Sequence, residues 1–176
     1  MDANFVPNLS FGPTVVAMAR ECVDIPLSVH LMLMHPDQYL ATFIDAGADS
    51  LLIHIEAECD VVEALKRIRE LGARPGVTLN PATPLSALGE ILPHVDLLIA
   101  TEGDAALLLG VEMPRDAMLE GLFDTYGPEA VVITCGADGS LAYDGHRVYR
   151  APAHQVQAVN RLGAGDAFAA GLLYGT

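Results

Sequence analysis

Two groups of residues in this 176-residue sequence have the types and spacing to do chemistry. The first is the run NRLGAGDAFAAGLLYG at 160–175, where Gly163, Ala164 and Gly165 precede Asp166 at the expected mouth of a helix. Small residues there leave backbone N–H groups unobstructed, and with the helix dipole those donors stabilise negative charge such as that on a phosphoryl group. The second comprises two apolar strand-like runs that carry His30 in VHLM and His54 and Glu56 in HIEAE. Strand alternation puts His54 and Glu56 on one face, where they can form a satisfied polar pair or contribute to a metal site. The plainer readings are a tight strand-to-helix turn that merely needs glycine, and a structural polar pair.

Regular elements must hold these residues in place. Short apolar runs at 27–33, 50–55, 75–80 and 95–100 read as strands of a doubly covered parallel sheet. Between them lie the amphipathic stretches DQYLATFIDAG and DVVEALKRIRELG, opened by Asp37 and Asp60 as N-cap types and closed by Gly47 and Gly72. After Ala100 the beat changes. EGDAALLLG and PRDAMLEGLFDTYG predict two successive helices, with Pro114 at a helix start, before a strand at 130–135. The runs at 140–151 and 154–159 then alternate, and Asp144-Gly145 is a hairpin signal, so the second part gains antiparallel strands.

Composition narrows the function classes. The formal net charge is −14 and Lys66 is the single lysine, a balance that repels nucleic acid and anionic membrane surfaces, and no basic run offsets it locally. An anionic ligand would therefore have to be held by backbone N–H groups, a helix N-terminus or a metal. Cys22, Cys59 and Cys135 are an odd, widely spaced set without a C-x-x-C pair, which predicts buried thiols and no disulfide framework. With no long apolar window and no signal-peptide layout at the N-terminus, the sequence is expected to be cytoplasmic.

The motifs MDANFVPNLSFGP (1–13), SVHLML (28–33), HIEAE (54–58) and GVTLNPATPL (76–85) occur in that order, and together they resemble ribulose-phosphate 3-epimerase over residues 1–99. The resemblance implies a fragment of a TIM barrel and an activity that inverts a carbon beside a carbonyl, with two acid/base groups and a divalent metal holding the enediolate charge. It places His30 on one metal-binding histidine and Asp2 on a motif aspartate that does not bind the metal. The family's other ligands fall before Met1 or on later strands without a counterpart, so His30 is read as vestigial. MDAN also departs from the commoner M-D-G-H.

VVITCGADGS (131–140), YDGHRVYRAP (143–152) and VNRLGAGDAFAAGLLYG (159–175) resemble the PfkB, or ribokinase-like, sugar kinases over residues 96–176, with a lean to the 2-keto-3-deoxygluconate kinase branch. That resemblance makes Asp166 the base that takes the sugar hydroxyl proton. It sets Thr134, Gly136 and Gly139 in a nucleotide-phosphate turn and Gly163, Ala164 and Gly165 at the anion site. Where the family carries N-x-x-E to order magnesium, Thr101 and Asp104 stand instead, beside Glu102, so Asp104 is a weakened metal ligand.

The fold class expected is α/β: parallel βα units from a partial barrel, continued by a ribokinase-like segment with a short antiparallel extension. The segments 1–99 and 100–176 are expected to merge into one domain whose second-half strands extend the first sheet. The functional expectation is a chimera with neither active site complete, catalytically silent, with weak phosphate or nucleotide binding. No cofactor is assigned to it. The alternatives are a residual sugar kinase using Mg-ATP and Asp166, or an epimerase using a divalent metal and completed by oligomerisation. Small sugar phosphates or nucleotides are the expected partners, with no nucleic acid, no membrane and the oligomeric state left open.

Overall fold

The computed structural model describes residues 1–80, 82–155 and 164–175. The chain divides into two compact units, one of Met1–Thr83 with Ala170–Thr176 and the other of Pro84–Ala169.

In the first unit, helix α1 (Pro13–Cys22) precedes strand β1 (Ser28–Leu31), α2 (Leu40–Asp45), β2 (Ser50–His54), α3 (Val61–Glu70) and β3 (Arg74–Thr78). The three strands form an open parallel sheet in the order β1-β2-β3, with Ser28 opposite Ser50 and Ser50 opposite Arg74. They do not close a barrel. Only the central strand is covered on both faces: Leu51 and Ile53 are fully buried, whereas every residue of β3 is at least partly exposed. The continuous apolar runs thus predicted the strands correctly but overstated how deeply the edge strands are covered. Val61, Ala64 and Ile68 form the buried stripe of α3 at helical spacing. Asp60 caps that helix by accepting from the Glu63 N–H at 3.0 Å, as expected. Asp37 does not cap α2: it lies inside a 3-10 turn (Pro36–Gln38), and Tyr39 is the N-cap, because Pro36 starts the turn before the helix can begin.

In the second unit, β4 (Leu97–Thr101) leads directly into α4 (Glu102–Leu109). Then follow α5 (Arg115–Tyr126), β5 (Ala130–Thr134), β6 (Ser140–Tyr143), β7 (Val148–Ala151) and the first part of α6 (Ala164–Gly175), whose residues from Ala170 on belong to the first unit. The sheet order is β4-β5-β6-β7, with β4 and β5 parallel and the remaining pairs antiparallel. Val131 and Ile133 of β5 and Leu119 and Leu122 of α5 are fully buried and make the centre of this core. The expected hairpin is present. Asp144 holds its loop by accepting from the N–H groups of His146 at 2.9 Å and Arg147 at 2.8 Å. The run at 154–159 lies largely outside the described residues.

The mixed α/β composition is as expected, but the sheet does not run through the join: β3 and β4 belong to different sheets. Between them lie only single-turn 3-10 helices, Leu85–Leu88 and Leu92–His94, interrupted by Pro84 and Pro93. A full crossover helix of the α3 kind, which would carry the next parallel strand alongside β3, does not form there. The expectation of buried thiols also needs correction. Cys22 is exposed at the last turn of α1, and Cys59 and Cys135 are half-buried; all three are free. Among the described residues no helix is long and apolar enough to cross a membrane.

Gly139 is the position where backbone geometry most plainly demands glycine. Its φ is +97°, and a Cβ there would lie 2.0 Å from the Ala151 carbonyl oxygen. Gly72 has a similar φ of +90° with open space around it. Gly139→Ala is therefore expected to cost about 2–4 kcal/mol and Gly72→Ala about 1 kcal/mol in urea unfolding. Equal losses would show that the close approach of β7 to the turn is not formed.

Candidate functional site

The histidine site of the first unit is assembled at the carboxyl ends of β1 and β2. His30 pairs in register with Leu52, so His54, two residues on and the last residue of β2, is its diagonal neighbour on the same face, and Glu56 follows in the turn after the strand. The rings of His30 and His54 stack at 4.9 Å, with their Nε2 atoms 2.8 Å apart. Nδ1 of His54 lies 3.0 Å from Glu56 Oε2, and Phe5 packs against the His54 ring at 4.6 Å. Glu56 Oε1 accepts from the Asn80 N–H at 2.8 Å. His54 is buried, at 4% exposure.

Burial raises the Glu56 carboxyl, but hydrogen bonds from the Thr83 hydroxyl, the Asn80 N–H, its own backbone and His54 outweigh it, leaving the group below its usual value of 4.5. An ionised carboxylate can only accept. His54 Nδ1 therefore carries the proton that points at Glu56, and the 2.8 Å contact between the Nε2 atoms of His54 and His30 holds one proton between them. Strand alternation predicted the pairing of His54 with Glu56; it could not predict Asn80, Thr83 and Phe5, which arrive from other segments.

A divalent metal is what the epimerase resemblance implies beside His30. The donor set does not fit one: His30 Nε2 is committed to His54, and among the described residues no group of three or more His, Cys, Asp or Glu side chains is placed to hold a metal ion. Asp2 also has a structural task. Its carboxylate accepts from the Met34 N–H at 2.7 Å and from the N–H groups of Asn4 and Phe5, which holds it below the usual carboxylate value and ties the N-terminal segment to the loop after β1.

In the second unit, Thr134, Gly136 and Gly139 come together in the turn between β5 and β6, where the Cys135 N–H donates to the Gly139 carbonyl at 2.8 Å. Thr134 Oγ1 lies 3.4 Å from the Ala100 carbonyl of β4. Ala164 and Gly165 open α6, while Gly163 and the Asp166 side chain lie outside the described residues. Asp104 forms a capping box with Thr101, its Oδ2 accepting from Thr101 Oγ1 at 2.6 Å while its own N–H donates to that hydroxyl oxygen. Glu102 is gripped on both carboxylate oxygens by Arg115, Nε and Nη2 each at 2.9 Å, and Nη2 also reaches Asp138 at 2.8 Å. These bonds hold Glu102 below its usual value and raise Arg115 further. A guanidinium thus occupies the neighbourhood in which carboxylates would order magnesium, and these acids as placed do not fit that ion. Arg115 was missed in the sequence, although a cation in the first turn of a helix opposes the helix dipole and so signals an acidic partner.

The sequence model described as the Ribulose-phosphate 3 epimerase family matches residues 1–103. Among curated relatives, the chloroplastic ribulose-5-phosphate-3-epimerase of Arabidopsis thaliana is 46% identical over 101 residues, covering 56% of this chain and 36% of the relative. The ribulose-phosphate 3-epimerase of Treponema pallidum is 44% identical over 99 residues, with 56% and 45% covered. The chain thus spans less than half the length of these relatives. Solved structures give a different likeness. Fructokinase with bound ATP from Xylella fastidiosa has a TM-score of 0.55 at 20% identity, covering 79% of this chain and 46% of its own. Adenosine kinase from Sinorhizobium meliloti has 0.55 at 21%, covering 79% and 44%. At such identity the likeness is one of fold, and it runs across most of the chain.

Glu56 provides a pH test of the histidine array. Because its folded value is depressed, its contribution to stability is present above about pH 4.5 and is lost as the pH falls below that value. Glu56→Gln is expected to cost about 1–3 kcal/mol in denaturant unfolding at neutral pH, with the gap to the parent narrowing toward about pH 3. A gap that stays constant with pH would mean that the carboxylate is not the acceptor described.

Proposed function

The chain belongs to the Ribulose-phosphate 3 epimerase family, and from that premise we propose that it is a fusion of an epimerase-like segment with the C-terminal catalytic segment of a PfkB-like sugar kinase that turns over neither parental substrate. The observation that carries this reading is the internal commitment of the polar groups. His30 is bonded to His54, Glu102 to Arg115 and Asp104 to Thr101, in the places where the two chemistries would need metal ligands. Losing most of a catalytic constellation leaves little rate, because its members act as a unit. What remains is anion binding through backbone N–H groups at the Thr134–Gly139 turn and at the start of α6, for a phosphate or a nucleotide.

A residual kinase is the second reading. The fold likeness to ATP-dependent sugar kinases and the intact β5–β6 turn favour it, with Asp166 as base and Mg-ATP as donor.

Thermal unfolding with Mg-ATP, and separately with ribulose 5-phosphate and a divalent metal, tests both. Ligand at about a hundred times its dissociation constant adds roughly 2.7 kcal/mol, about 5–10 °C for a chain of this size. The expected outcome is a shift with Mg-ATP alone and no product in assays at high protein concentration. ATP-dependent phosphorylation of 2-keto-3-deoxygluconate or ribose that disappears in Asp166→Asn would establish the kinase instead. Metal-dependent conversion of ribulose 5-phosphate lost in His30→Ala would establish an epimerase.

A further inference from the structure

A cleft of about 490 Å³ opens in the second unit between the start of α5 and strands β6 and β7. Its walls combine Pro114, Leu141, Ala151 and Pro152 with Ser140, two arginines, Arg115 and Arg150, and two aspartates, Asp116 and Asp138. Its volume is in the range that holds small ligands, and a mostly apolar lining with a few convergent polar groups is the usual composition of such sites.

The hydrogen-bond capacity of this cleft is unbalanced. Both Glu102 oxygens are taken by Arg115, Asp138 Oδ2 accepts from the same guanidinium, and both Asp116 oxygens accept from Arg150 Nη2. The donors are not used up. Among the described residues Arg115 Nη1, and Arg150 Nε and Nη1, have no hydrogen-bond partner. Each guanidinium is anchored at one end and has N–H groups facing solvent at the other, which the acceptors of an occupant can use. Charge limits which acceptors. Three carboxylates, from Glu102, Asp116 and Asp138, face two guanidinium ions, so repulsion grows with the charge of an anion, and a multiply charged one is disfavoured most on top of the chain's −14. A singly charged, planar acceptor with an apolar body suits both the spare N–H groups and the walls. The Arg150–Asp116 pair is exposed on both sides, at 57% and 52%, and such pairs contribute little, so a ligand carboxylate can take Asp116's place at small cost.

We propose that this cleft is a binding site for a small monocarboxylate, its carboxylate received by Arg115 and Arg150 and its apolar body set against Pro114, Leu141 and Pro152. The site borders the Thr134–Gly139 turn through Asp138 and needs no divalent metal.

The test is an NMR titration of the purified chain with benzoate, in the presence of a chelator, with inorganic pyrophosphate as the contrasting anion. The expected result is a saturable shift of the Arg115 and Arg150 side-chain signals and the Ser140 amide, at about millimolar affinity. Pyrophosphate should leave the Arg150 side-chain signals unmoved, whatever shift it causes at Arg115 and the Ser140 amide by binding the neighbouring Thr134–Gly139 turn. Arg150→Gln should weaken benzoate about tenfold, and Asp116→Asn, which removes the competing acceptor, should tighten it about threefold. No saturable shift, an equal or stronger response of the Arg150 signals to pyrophosphate, or benzoate binding indifferent to both substitutions would overturn the proposal.

Discussion

A parallel strand cannot be reached from its neighbour by a hairpin, and each half of this chain is organised around that requirement. In the first unit α2 and α3 are the return segments, and the strand they enclose, β2, is the one that is fully buried at Leu51 and Ile53. In the second unit α4 and α5 return the chain from β4 to β5, and β5 supplies Val131 and Ile133 to the core. Parallel pairing also fixes where polar side chains gather. It brings the carboxyl ends of neighbouring strands together, so His30 meets His54, and Thr101 of β4 pairs in register with Thr134 of β5.

At both of these strand ends the ionisable groups are neutralised from within. Glu56 orients His54, which receives His30; Asp104 caps α4; Arg115 bridges Glu102 and Asp138 and so links α4, α5 and the β5–β6 turn. Each is a charge-assisted or capping interaction that fixes local geometry. A ligand or metal entering either place would have to displace a bond of this kind.

Strand positions were legible because short apolar runs bounded by turn residues have few other readings, and all five parallel strands lie within a residue or two of where they were expected. Asp60 as a cap and the Asp144 loop were legible for the same local reason. What the sequence concealed is long-range. That β4 pairs with β5 and belongs to a different sheet from β3 depends on Pro84 and Pro93 suppressing a crossover helix, and the boundary of packing at Thr83 and Pro84 lies ahead of residue 100, where the resemblance changes. The partners of Glu56 at Asn80 and Thr83, and the reach of Arg115 to Asp138, join residues 23 or more apart with no periodic signal.

The central claim is that internal hydrogen bonds have taken over the positions at which a metal would act. Equilibrium dialysis of the purified chain against manganese at neutral pH, followed by metal analysis, tests it most directly. The account predicts far less than one ion retained per chain, with the parent and His30→Ala behaving alike. Retention of one ion per chain that is lost in His30→Ala would contradict it.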